Sequence, residues 1–336
     1  MNTGSVKAVM TRRVGLGAAT LGAAIFCAPL PPAAVGAVAG HSSGRAPTPA
    51  VMAPATPATG TGTGTADACG EPVLKADGQA WTCTFADDFS GSSLDGEKWI
   101  AQRTATSNFS TGEPGGPRAC YLDDPSTISV AGGNLRLSAV STRRAFRCGV
   151  GGKQFRTRYA AGMVSTHGRF AQTYGRFEVR ARIPDWSDPG LQETLWLWPV
   201  DPTKYGAHPG SGEIDFAEFY SVHSDRVIPR LHYSYDPATV NRLTNTNVVT
   251  NQCLIDPAAF NTYTLEWEPG RLTIMVNGTT CLVDNYVADN TTDAWAPFNQ
   301  PFMVVLTQAL GHGVNALPKG TDLSETTYVD HVRVWR

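Results

Sequence analysis

The sequence predicts an all-β domain, a two-sheet β-jelly-roll sandwich with an open substrate groove. Three observations carry this expectation: apolar and polar residues alternate over several short segments, turn residues separate those segments, and no amphipathic helix longer than a turn or two is visible. Leu135, Leu137 and Ala139 alternate with Arg136 and Ser138. Phe177, Val179, Ala181 and Ile183 alternate with Arg176, Glu178, Arg180 and Arg182. A period of two places one row of side chains in a core and the other in water. Leu272, Ile274 and Val276 run into Asn277-Gly278, the strongest short hairpin signal, and Cys281-Leu282-Val283 resumes the strand. The near-continuous apolar run from Pro301 to Leu310 fits an inner strand, and Tyr328 to Trp335 reads as a closing strand.

The ends of this domain follow from composition. Residues 1–39 read as an export signal: Lys7, Arg12 and Arg13 supply the positive start, Val14 to Leu30 carries no charge, and Ala37-Val38-Ala39 offers the small residues of a cleavage site. The apolar run is too short and too interrupted, by Pro29, Pro31 and Pro32, for a stable membrane anchor. Thr11 to Leu16, with its paired arginines, resembles a twin-arginine signal, so a secreted, extracellular product is expected. Residues 40–68 are largely Pro, Ala, Thr, Gly and Ser; they cannot bury enough surface to offset ordering entropy and read as a linker. Residues 69–336 then form one domain, expected to act as a monomer. A net charge of −2 with no basic block excludes a nucleic-acid partner. With Cys27 in the signal, six of the seven cysteines remain, an even number in an exported chain. Pairing of sequence neighbours gives Cys69–Cys83, Cys120–Cys148 and Cys253–Cys281, one of about 15 connectivities for six cysteines.

The most informative segment runs from Gly212 to Tyr220. On a strand, Glu213 and Asp215 share one face and Ile214 and Phe216 the other. Strict alternation then drives Glu218 onto the apolar face, where an unpaired carboxylate is costly. One extra residue at Ala217, a β-bulge, returns Glu218 to the face of the other two acids and Phe219 to the interior. Carboxyls crowded on one face shift each other's proton affinity apart. One protonated and one ionised carboxyl is what glycosidic cleavage requires.

With Glu213, Asp215 and Glu218 in this spacing, the chain resembles glycoside hydrolase family sixteen, in its bulged ExDxxE, laminarinase-like branch. The resemblance extends to Phe85–Phe89, Tyr174–Arg180, Gly190–Pro199, Phe260–Trp267, Trp295–Gly311 and Tyr328–Trp335, in the family's order. It implies that Glu213 is the nucleophile and Glu218 the general acid/base, with Asp215 hydrogen-bonded to Glu213. It also implies retention of anomeric configuration, for which the two carboxyls lie about 5–5.5 Å apart. The implied partner is a polysaccharide, cut internally: a β-1,3-glucan of laminarin type or a mixed-linkage β-1,3/1,4-glucan. An agarase or other galactan hydrolase, a transglycosylase and a non-catalytic glucan-binding module remain as alternatives.

Further groove residues are expected around the acids. Trp196 and Trp198, two apart on one strand, share a face and offer aromatic platforms to sugar rings. By the resemblance, His232 hydrogen-bonds near the acid/base and Gln308 faces the groove. His208 stands where many laminarinases have a stacking tryptophan, and Gln192-Glu193-Thr194 where WPA is usual. No cofactor is expected for catalysis. A structural calcium is implied at Asp88, Gly133 and Asp330, hard oxygen donors of the kind this ion takes.

Overall fold

A computed structural model describes residues 66–241, 246–287 and 293–336. The expected signal and most of the expected linker lie outside the described residues, and the fold belongs to the segment between Cys69 and Arg336. Among the described residues, helix is confined to Thr104–Ser107 and three single 3-10 turns. No described helix is long and apolar enough to cross a membrane.

The strands form two large sheets packed face to face. One sheet runs, edge to edge, through Thr279–Asp284, Arg271–Val276, Asn261–Glu268, Gly175–Arg182, Ser324–Trp335, Leu135–Cys148, Phe155–Ala161, Arg118–Tyr121 and Ser110–Gly112. The second runs through Val248–Val249, Arg230–His232, Glu213–Tyr220, Leu191–Pro199, Phe302–Leu310, Met163–Ser165 and Ile100–Ala101. Sequence alternation accounts for how they meet. Along Gly175–Arg182 every second residue is buried, and Phe177, Val179 and Ala181 enter the core as the period of two requires. They face Leu195, Leu197, Ile214, Phe216, Leu231, Val304 and Leu306 of the second sheet in one continuous apolar layer. The run from Phe302 to Leu310 is an inner strand flanked on both sides, as its unbroken apolarity predicts.

The hairpin at Asn277-Gly278 forms as expected. Both residues have positive φ, 49° and 77°, the backbone of a two-residue turn whose twist matches its strands. All three disulfides join sequence neighbours: Cys69–Cys83, Cys120–Cys148 and Cys253–Cys281. The last closes a 28-residue separation and ties a short peripheral strand to the edge of the first sheet.

The core between the sheets is not wholly apolar. Glu193 is 2% exposed, and its Oε1 accepts a hydrogen bond from Gln308 Nε2 at 2.6 Å. Gln308 Oε1 in turn accepts from Thr327 Oγ1, 2.8 Å away on the facing sheet. Burial pushes the Glu193 carboxyl up to about 8, although the Gln308 bond pulls the other way.

Two outcomes follow from this architecture. Chain-entropy arguments give a loop the length of Cys253–Cys281 about 3–4 kcal/mol. Replacing both cysteines by alanine is expected to lower the unfolding free energy in guanidinium by up to that amount. A folded-state carboxyl held near 8 favours the native state while it is protonated, so its contribution is complete below the ordinary glutamate value and fades as pH rises towards 8. Wild-type stability should therefore decline between about pH 5 and 8. Glu193→Gln, which keeps the acceptor but cannot ionise, should flatten that decline when denaturation midpoints are measured across the range.

Candidate active site

The face of the second sheet that points away from the core carries the acidic cluster, and strand register builds it. Glu213 stands opposite His232, and Asp215 opposite Arg230. On the other side Asp215 pairs with Trp196 and Glu218 with Thr194, while Ala217 pairs with Leu195. Phe216 is skipped, so the bulge is present. Its position differs slightly from expectation: Phe216, not Ala217, lacks a cross-strand partner, and both side chains pack in the core. Ala217 keeps its place in the ladder opposite Leu195, and the extra residue falls one position earlier. The outcome for the acids is as expected, since Glu213, Asp215 and Glu218 share one face.

These acids are far less exposed than an ordinary acidic strand, at 7%, 4% and 1%. Each has a separate partner. His208 Nε2 lies 2.7 Å from Glu213 Oε2, and its ring stacks on Trp198 with centroids 6.1 Å apart. His232 Nε2 lies 3.2 Å from Asp215 Oδ2. Arg230 Nε lies 2.8 Å from Glu218 Oε2, and Gln192 Nε2 donates to Glu218 Oε1 at 2.6 Å.

The environments drive the three protons apart. Burial raises the Glu213 carboxyl, but the His208 hydrogen bond and the charges of His232 and His208 outweigh it and leave it below the usual glutamate range. Burial, then the negative charges of Glu213 and Glu218, hold Asp215 well above the usual aspartate range. Burial also raises Glu218, against the charge of Arg230 and hydrogen bonds from Tyr220 and Gln192. The face thus holds an ionised Glu213 beside two carboxyls inclined to keep a proton.

Trp196 and Trp198 lie half-buried on this face, edge to face at 5.7 Å, with Trp196 Nε1 donating to Thr307 Oγ1 at 3.0 Å. His232, registered opposite Glu213, meets Asp215 beside the acid/base candidate. Three expectations change. Asp215 in turn closes on His232 instead of Glu213. His208 is no lost platform alone: it contacts Glu213 directly. Gln308 faces the interior, fully buried against Glu193, because the groove-side residue of that strand is its neighbour Thr307. Two side chains of the expected calcium set have protein partners here. Asp330 Oδ2 is held by Arg180 Nη1 at 3.1 Å and by His331 Nδ1 at 2.9 Å, and Asp88 Oδ1 turns back to accept from the Ser90 amide at 3.1 Å.

Arg230 and Gln192 were not anticipated, although the period of two marks them. Gln192 shares parity with Trp196 and Trp198, and Arg230 with His232, so each had to lie on the face of the acids.

Relatives share this arrangement of chain. The family model of the glycosyl hydrolases family 16 matches residues 124–325, more than half of the sequence. A keratan-sulfate endo-1,4-beta-galactosidase of Sphingobacterium multivorum is 30% identical over 178 residues, 53% of this chain and 40% of its own length. Glucan endo-1,3-beta-glucosidase A1 of Niallia circulans is 25% identical over 270 residues, 75% of this chain and 37% of its own. The chain thus spans less than half the length of either relative. The laminarinase structure from Rhodothermus marinus superposes with a TM-score of 0.61 at 26% identity, over 76% of this chain and 97% of that one. With the bulged acidic strand, the two-sheet sandwich and the family match in agreement, the chain belongs to family 16 of the glycosyl hydrolases.

Proposed function

We propose that this protein is a retaining, endo-acting hydrolase of a β-glucan, either a β-1,3-glucan of laminarin type or a mixed-linkage β-1,3/1,4-glucan. The observation that carries the reading is the opposed proton demand of two carboxyls on one bulged strand: Glu213 held ionised, Glu218 inclined to stay protonated. In the first step the Glu213 carboxylate attacks the anomeric carbon while Glu218 delivers its proton to the departing glycosidic oxygen. Glu218, now ionised, takes a proton from water, which displaces Glu213 and restores the original configuration. Asp215, protonated beside His232, adds no second negative charge next to the nucleophile. Trp196 and Trp198 flank the acids and serve as ring platforms.

Relatives named as a glucan endo-1,3-beta-glucosidase and a laminarinase support a glucan substrate. A galactan is the second reading. It is favoured by His208 filling the place of a stacking tryptophan and by the relative named for keratan sulfate. Three disulfides fit an oxidising compartment, and we take the paired arginines near the start to mark export by the twin-arginine route.

Laminarin, lichenan, agarose and keratan sulfate incubated side by side, with products sized, test class and linkage together. A falling ladder of laminarin or lichenan oligosaccharides is expected, whereas cleavage of agarose or keratan sulfate alone transfers the enzyme to galactans. Glu213→Gln should lower kcat by about a thousandfold or more, since a positioned nucleophile has no substitute. Unchanged hydrolysis in that variant removes the assignment. The pH profile gives an independent check. Activity needs Glu218 protonated, so the alkaline limb follows its proton affinity. Arg230 lowers that affinity, so Arg230→Gln should move the alkaline limb to higher pH.

A further inference from the structure

The loop before the acidic strand and the strand beside it bring two imidazoles and a carboxylate together. Ligand atoms of His208, Glu213 and His232 all lie within 4.8 Å of one another. We propose that these three side chains form a binding site for a borderline divalent cation of the zinc or copper class. Such ions take imidazole nitrogen and carboxylate oxygen, and two histidines with one glutamate are an established open zinc set. The hard ions calcium and magnesium prefer all-oxygen shells and are not expected here.

The geometry supports this beyond the residue types. Zinc bonds of about 2.0–2.2 Å set neighbouring donors roughly 3.3 Å apart in a tetrahedron. His208 Nε2 and Glu213 Oε2 are at 2.7 Å and must spread by well under one ångström to admit an ion. The ring of His208 is fixed by stacking on Trp198, and its centroid lies 4.9 Å from that of His232. The loop carrying His208 is pinned where Tyr235 Oη donates to the Ala207 carbonyl and the Gly212 amide donates to the Pro209 carbonyl at 3.0 Å. His232 is registered opposite Glu213, so the third ligand needs no rearrangement of backbone. Of the described residues, one other cluster has suitable types, Asp67 with Cys69 and Cys83, but its sulfurs are joined in a disulfide and cannot act as thiolates.

Three protein ligands leave a fourth position, open to water or a sugar hydroxyl. An ion there draws the Glu213 oxygen into coordination, so zinc is expected to inhibit hydrolysis reversibly. That consequence, unlike binding itself, rests on the nucleophilic role proposed for Glu213.

Zinc chloride titrated calorimetrically into the tag-free, chelator-treated protein should report one ion per chain, and calcium chloride no heat. His208→Gln and His232→Gln should each weaken zinc binding by about tenfold or more, measured on metal-free variants that circular dichroism shows to be folded. Should either variant fold poorly, anomalous diffraction at the zinc edge from zinc-soaked wild-type crystals locates the ion directly. A peak between His208, Glu213 and His232 upholds the site. Absence of binding, binding unchanged in the variants, or a peak elsewhere overturns it. Zinc binding with full activity of Glu213→Gln defeats the catalytic reading alone, and an inactive Glu213→Gln with no zinc binding to wild type defeats the metal site alone.

Discussion

The acidic face of this protein depends on a mismatch in residue count between two neighbouring strands. From Trp196 to Leu195 the partner strand advances one residue while the acidic strand advances from Asp215 to Ala217, and Phe216 is left over. Without that extra residue the ladder carries Glu218 into the layer occupied by Ile214 and Phe219, where an ionisable group has neither water nor partner. With it, Glu218 meets Arg230 and Gln192 on the outer face. The bulge therefore converts a strand that could only be structural into one with three acids side by side.

Gathering three carboxyls under cover works against folding, and the neighbouring strands supply the compensation. His208, His232 and Arg230 each approach a different acid within 3.2 Å. Because these partners are distributed unevenly, the acids do not respond alike. Glu213 has two imidazoles acting on it and is lowered, whereas Asp215 feels the charges of both its neighbours and is raised. The different proton affinities of Glu213 and Asp215 thus arise from their neighbours, not from any difference in the carboxyls themselves.

Much of this was legible in the sequence because it is governed by local periodicity. Alternation from Arg176 to Arg182, the Asn277-Gly278 turn and the need for a bulge between Asp215 and Glu218 each depend on residues close in the chain. What escaped depends on register between strands distant in sequence. That His232 would meet Asp215, and Arg230 Glu218, is decided by how Arg230–His232 slides against the acidic strand, which no single segment specifies. Gln308 was misplaced for a related reason. Thr307 and Gln308 are adjacent polar residues in an apolar run, so the run gives no phase, and only the buried Glu193 opposite decides which of them turns inward. His208 lies on a loop, where pattern carries no information on direction.

The chain of hydrogen bonds from Glu193 through Gln308 to Thr327 has a mechanical meaning. Apolar surfaces tolerate small translations against each other, because dispersion has no preferred direction. A carboxyl, an amide and a hydroxyl aligned across the same gap do not. They act as a dowel that locks the floor of the acidic face to the sheet behind it, and the dowel sits one residue from both Gln192 and Thr194. Load on Trp196 and Trp198 is then passed to the facing sheet and not absorbed by slippage of a single layer.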